Sequence, residues 1–149
     1  MPYELVKHLR LDANHATFYV FNPESDLEAF EEIASLTDDE AALGYLAIEN
    51  AIAYFIDGDP IEYDLDIYLS ASPPSLAEAK RAFVHNITLD SGELAIEEAV
   101  PDETHLVQVP PNRYAMYQLT YDYEVESEVA RFALYLVPGE VKTQGEMAL

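Results

Sequence analysis

The sequence predicts an all-β protein: a β-sandwich, jelly-roll-like or partly closed as a barrel, of about nine strands with one or two short helices. Three observations lead there. Several segments alternate apolar and polar residues with a period of two, which suits a strand with one face buried. The segments are separated by Pro, Gly, Asn and Asp at short intervals. Strands and long helices do not alternate, which argues against a doubly wound α/β fold.

The clearest segment is 61–69, Ile-Glu-Tyr-Asp-Leu-Asp-Ile-Tyr-Leu. A strand puts Ile61, Tyr63, Leu65, Ile67 and Leu69 on one face and Glu62, Asp64 and Asp66 on the other. A helix would scatter the same residues around its circumference and bury charge. One stretch thus predicts a sheet with an oily inner face and an anionic outer one.

Taken in order, 5–11 is a first strand with Leu5, Leu9 and Leu11 on one side and His8 and Arg10 on the other. The turn-forming Asp12-Ala13-Asn14 leads to a β-branched and aromatic run, 15–21, and the two strands are expected to form a hairpin. Asn22-Pro23 breaks the strand. Leu27, Phe30, Ile33 and Ala34 share helical spacing in a stretch that also reads as an acidic loop. Thr37 and Glu40 fit a capping box for a short helix over 38–43, ended by Gly44. Residues 45–56 read as one strand, and 57–60, Asp-Gly-Asp-Pro, as a turn. The Ser-Pro-Pro-Ser stretch within 71–79 is a connection, with one helical turn capped by Ser75.

In 82–89 a strand places Phe83, His85, Ile87 and Leu89 on one face, and 93–98 is expected to return beside it across Asp90-Ser91-Gly92. Residues 105–109 form another short strand, and Pro110-Pro111-Asn112-Arg113 a tight turn in which Asn112 tolerates positive φ. In 114–124, Tyr117, Leu119, Tyr121 and Tyr123 share a face. The strand 129–137 closes the set, Pro138-Gly139 ends it, and the tail is expected to fray from Glu140. With no repeat or linker to divide it, the chain reads as a single domain over 1–149.

Composition narrows function. Seven Lys plus Arg stand against 29 Asp plus Glu, a formal charge of −22. That disfavours nucleic acid and anionic membranes as partners, since both carry phosphate. It favours a basic protein surface, a cation, or solubility alone. Cysteine is absent, which excludes disulfides and thiolate metal sites. Without a leader-like N-terminus or a long apolar run, a cytoplasmic protein is the default expectation.

The densest carboxylate cluster is Asp57, Asp59, Glu62, Asp64 and Asp66, assigned here as the partner-binding residues against the plainer view of a solvated face. Its Asp-Gly-Asp lacks the spaced ligands of a calcium loop. His8, His15, His85 and His105 show no metal-binding spacing, and His85, between Phe83 and Ile87, reads as a satisfied core histidine. There is no nucleophile elbow and no phosphate-binding glycine loop. The residues therefore argue for a binding protein without catalytic, cofactor or metal site. A rival reading is an oligomerising or ligand-binding sandwich that uses its tyrosines, with acidity serving only solubility.

The run 36–45, Leu-Thr-Asp-Asp-Glu-Ala-Ala-Leu-Gly-Tyr, followed by 51–55, Ala-Ile-Ala-Tyr-Phe, resembles the competence protein J family of small β-proteins. So do the strand 83–89, the turn at Ser91-Gly92 and the Pro-Pro-Asn-Arg-Tyr turn at 110–114. The resemblance spans about residues 9–137. The family pattern has Gly where this chain has Asn50, often Gly where it has Asn112, and a shorter segment in place of the acidic 24–35. The resemblance implies an all-β inhibitor of a DNA-entry nuclease of competent bacteria. It carries over no binding residue, so the five acids rest on the local pattern alone.

Overall fold

A computed structural model describes residues 3–12, 17–24, 43–55, 62–98, 104–121 and 129–148 of the chain. Those residues form eleven strands. They are β1 (Tyr3–Asp12), β2 (Thr17–Phe21), β3 (Tyr45–Ile48), β4 (Ala51–Phe55), β5 (Glu62–Ser70) and β6 (Arg81–Leu89). β7 (Glu93–Glu98), β8 (Thr104–Gln108), β9 (Asn112–Tyr121), β10 (Val129–Pro138) and β11 (Gly145–Glu146) follow. The order β1-β5-β10-β9-β6-β11 makes a six-stranded sheet and β3-β4-β2-β7-β8 a five-stranded one. No strand is shared by both, so the arrangement is two facing sheets and not a closed barrel.

The core lies between the sheets and is built from alternate residues of each strand. Tyr63, Leu65 and Ile67 of β5 are fully buried, as are Phe18 and Val20 of β2 and Leu94 and Ile96 of β7. Phe18 joins the layers, its ring centroid 5.4 Å from Tyr54, 5.3 Å from Tyr63 and 5.4 Å from Phe132. Each such side chain contributes about 1.5–3 kcal/mol by leaving water. Burying the Tyr114 ring leaves its hydroxyl able to donate to the Pro110 carbonyl four residues upstream, which pins the turn before β9.

Several expectations are corrected. β1 and β2 do not form a hairpin: β1 pairs with β5, while β2 pairs with β4 and β7. β6 and β7 also lie in different sheets, so Asp90-Ser91-Gly92 is a corner between layers. Alternation reveals which face is buried, but a short turn can lead across the core as well as back along the same sheet. The expected strand over 45–56 is the hairpin of β3 and β4, folded at Glu49-Asn50. This split and the added β11 raise the count above nine. No helix occurs among the described residues, and the expected helix over 38–43 lies outside them except for Leu43, which sits in a turn. At Ser75 there is a turn, not a helix: its Oγ accepts the Ala77 N–H (3.3 Å), and Ala79 N–H reaches the Leu76 carbonyl (3.1 Å).

Asn50 explains the glycine expected at its position, because its φ is 57°. Asparagine is among the few side chains that tolerate this region. Its Oδ1 also accepts the Thr88 N–H of β6 (2.8 Å), and its carbonyl accepts the Asn22 N–H (2.9 Å), linking the two sheets at one end. Asn112, by contrast, is not in the positive-φ region. Asn50→Gly should keep the turn but lose the side-chain link, costing about 1 kcal/mol, and Asn50→Val should cost about 2–3 kcal/mol through added backbone strain. Urea denaturation of the two variants checks the order.

The tail does not fray. β11 pairs with β6 through Gly145↔Val84 and Glu146↔Phe83, and Met147 N–H reaches the Ala82 carbonyl (2.8 Å). Asn86 clamps Val141, with its Oδ1 accepting the main-chain N–H and its Nδ2 donating to the carbonyl, both at 2.9 Å. Val141 and Met147 cover an apolar outer region of the six-stranded sheet formed by Ala82, Val84, Tyr117, Leu119, Tyr135 and Val137.

Candidate functional site

The acidic row sits where alternation places it. Glu62, Asp64 and Asp66 point to the outer face of β5, while the residues between them are buried. β5 is an inner strand, however, with β1 on one side and the parallel β10 on the other. The register puts His8 opposite Asp66 and Arg10 opposite Asp64 on β1, and Arg131 opposite Asp64 on β10. The row is therefore flanked by basic side chains, the guanidiniums of Arg10 and Arg131 and the imidazole of His8. The five assigned acids are not all brought together by the described structure, since Asp57 and Asp59 lie outside the described residues.

Each acid has a different environment. Asp64 receives both Nε (2.7 Å) and Nη2 (2.8 Å) of Arg10. This two-point grip, helped by the nearby charges of Arg10, His8 and Arg131, holds its carboxyl below the usual range against the opposing pull of burial. The same hydrogen bonds raise the proton affinity of the Arg10 guanidinium. Asp66 is hydrogen-bonded to His8 Nδ1, and His8 Nε2 lies 3.6 Å from Asp64. Arg131 lies over the Tyr121 ring at 5.3 Å, and Tyr68 stacks on Tyr135 at 4.7 Å. Between these groups, above Ala133, is a small cavity of about 90 Å³ lined by His8, Asp64, Asp66, Tyr68, Tyr121 and Arg131.

The sequence reading missed His8, Arg10 and Arg131 as members of this surface. Their signal was present in part, because His8 and Arg10 were placed together on one face of β1. What periodicity lacked was the partner strand.

A second polar region surrounds the Asn50 turn. Asn22, buried, donates through Nδ2 to the Thr88 carbonyl (2.8 Å) and to Asp90 (3.2 Å). Glu24, Glu49 and Asp90 line the depression beside it, about 430 Å³ in volume. Asn22, Glu24 and Asp90 read as turn material in the sequence and Glu49 as part of a strand, which hid their convergence.

Elsewhere, His85 is a core residue as expected but not a satisfied one. It is 3% exposed, and neither ring nitrogen has a hydrogen-bond partner among the described residues. Among those residues no group of three or more His, Asp or Glu side chains is placed to hold a metal. Tyr114, Tyr117 and Tyr135 are buried, which takes most of the late tyrosines away from any external partner.

No protein-family model matches the sequence, and no curated protein matches it. Solved structures do match the fold. ComJ from Bacillus subtilis, described as the inhibitor of the DNA degrading activity of NucA, superposes with a TM-score of 0.72 at 15% identity, covering 92% of this chain and 98% of ComJ. A protein described as crocagin biosynthetic gene J superposes with a TM-score of 0.61 at 17% identity, covering 94% of this chain and all of the other. The likeness to the competence protein J family first met in short motifs thus extends to the architecture: this chain has the fold of ComJ along nearly its whole length.

Proposed function

We propose that this protein is a non-catalytic β-sandwich that binds and silences a DNA-degrading nuclease. The observation that carries this reading is the shared fold with ComJ, a nuclease inhibitor. The formal charge of −22 supports it independently. A nuclease holds phosphate with cationic groups, so a rigid surface bearing carboxylates can occupy the same cleft. Glu62 and Asp66, on an inner strand, are presented without the entropy cost of ordering a loop. Asp57 and Asp59, which precede them in the chain, complete the proposed contact set. In this reading Asp64 is held by Arg10 and serves mainly to fix the register of the row.

Titration into a DNA-cleavage assay with nucleases of the NucA type, and with other basic nucleases, tests the reading. Cleavage should fall stoichiometrically. The complex should weaken steeply as salt rises, because the Debye length shrinks to about 3 Å at 1 M. Glu62→Gln with Asp66→Asn should weaken the complex about tenfold, from two lost contacts of about 0.7 kcal/mol each. Absence of both inhibition and a low-salt complex with all such enzymes would overturn the proposal.

A further inference from the structure

We propose that His8 is an internal competitor for the partner's cation at Asp66, so that the basic partner is held more tightly when the imidazole is neutral. This rests on the nuclease-binding reading and adds how the same surface is regulated.

Asp64 has both oxygens engaged by a guanidinium that stays charged at any ordinary pH. Asp66 instead faces His8, whose charge is removable, and it is the more open of the two, 35% exposed against 21% for Asp64. The His8 side chain is itself half exposed, so both members of the pair are within reach of a docking protein. The cavity above Ala133, lined by both His8 and Asp66, gives the end of a lysine or arginine room beside the carboxylate. The described charged and titratable groups around His8 are Asp64 and Asp66, with Glu62 and Tyr68 further along β5, Arg10 on β1, Arg131 on β10 and Tyr121 on β9.

A charged imidazole neutralises Asp66 and repels an incoming cation. A neutral one still donates one hydrogen bond but leaves the carboxylate charge unmatched. The partner and the proton therefore exclude one another, and the exclusion is reciprocal: a bound cation must lower the proton affinity of His8.

The test follows the dissociation constant with a bound nuclease from about pH 5 to 8, the interval in which imidazoles as a class change charge. Wild type should tighten about threefold to fivefold across it, the size of an exposed ion pair. His8→Gln should lose that increment and bind at every pH as wild type does at the high end. His8→Lys should bind weakly throughout. If His8→Gln keeps the wild-type profile, the pH effect belongs to the partner and the inference is overturned. A wild type that forms no complex at any pH overturns the functional reading instead. In that event, imidazole NMR with oligolysine as the probe decides the inference: the His8 titration should move to lower pH when oligolysine is added, and an unmoved titration overturns it.

Discussion

Removing residues 140–149 should lower the free energy of unfolding by about 3–5 kcal/mol, enough to unfold a marginal domain. The loss has two physical parts. Val141 and Met147 uncover Ala82, Val84 and Val137, so apolar surface returns to water. Arg81 loses Glu146, whose carboxylate takes hydrogen bonds from Nε and Nη2 and is held below its usual range by them. Arg81 is more than a tail anchor. Its Nη2 also donates to the Leu43 carbonyl at the start of the five-stranded sheet (3.0 Å), and its guanidinium lies 5.0 Å over the Phe83 ring. Gly145 shows how closely the tail fits: at φ 114° it sits where a Cβ would stand 2.8 Å from the Tyr45 hydroxyl. Gly145→Val should therefore reproduce most of the truncation effect. Guanidinium denaturation of the full and truncated chains measures it, and a change below about 1 kcal/mol would show that the tail is not part of the folded unit.

Replacing His85 by Phe should stabilise the protein at neutral pH by about 1–2 kcal/mol and remove a large acid sensitivity. The imidazole is enclosed, with the Tyr45 ring 4.7 Å and the Tyr54 ring 6.2 Å away. Burial pushes its pKa down to about 4. In the unfolded chain a histidine titrates near 6.5. Above that value both states are neutral and the full stability is present. As pH falls below it, the unfolded state takes up the proton first, and stability is lost until the folded pKa is reached, about 3 kcal/mol in all. Falling net negative charge acts in the opposite direction, so the difference between wild type and His85→Phe is the informative quantity. That difference should grow between pH 6.5 and about 4; a constant difference would mean that water or a neighbour satisfies the ring. The Tyr54 hydroxyl nearby is also without a partner among the described residues, and burial raises its pKa.

Periodicity served well for faces and poorly for neighbours. Tyr63, Leu65 and Ile67, and Phe83, Ile87 and Leu89, are buried where alternation put them, because alternate residues of a strand point to the same face and that face is the one turned to the core. Pairing depends on long-range packing, so the assignment of β1 to β2 failed, and alternation alone gave no sign that His8, Arg10 and Arg131 stand beside Glu62, Asp64 and Asp66. The tail was misjudged for a related reason. Val141 and Met147 are isolated apolar residues among polar ones, and nothing local shows that a sheet face lies waiting for them. Asn50 was missed as well: the strand expected over 45–56 ran straight through it, and only the structure shows its φ of 57° at the turn between β3 and β4. The second polar region, around Asn22 and Asp90, was invisible because its members come from turns distant in sequence.

β5 and β10 run side by side in parallel at the heart of the larger sheet, Glu62 beside Val129 through Leu69 beside Leu136. Ribosomes release chains in one direction, so β5 emerges dozens of residues before the neighbour it needs. Until then its acids and its oily face are both unsheltered, and β1 alone can only offer a two-stranded ribbon, too little to hold in water. Assembly of this layer is therefore a late event in the protein's synthesis, and its nascent form must rely on its strong negative charge to keep neighbouring chains apart.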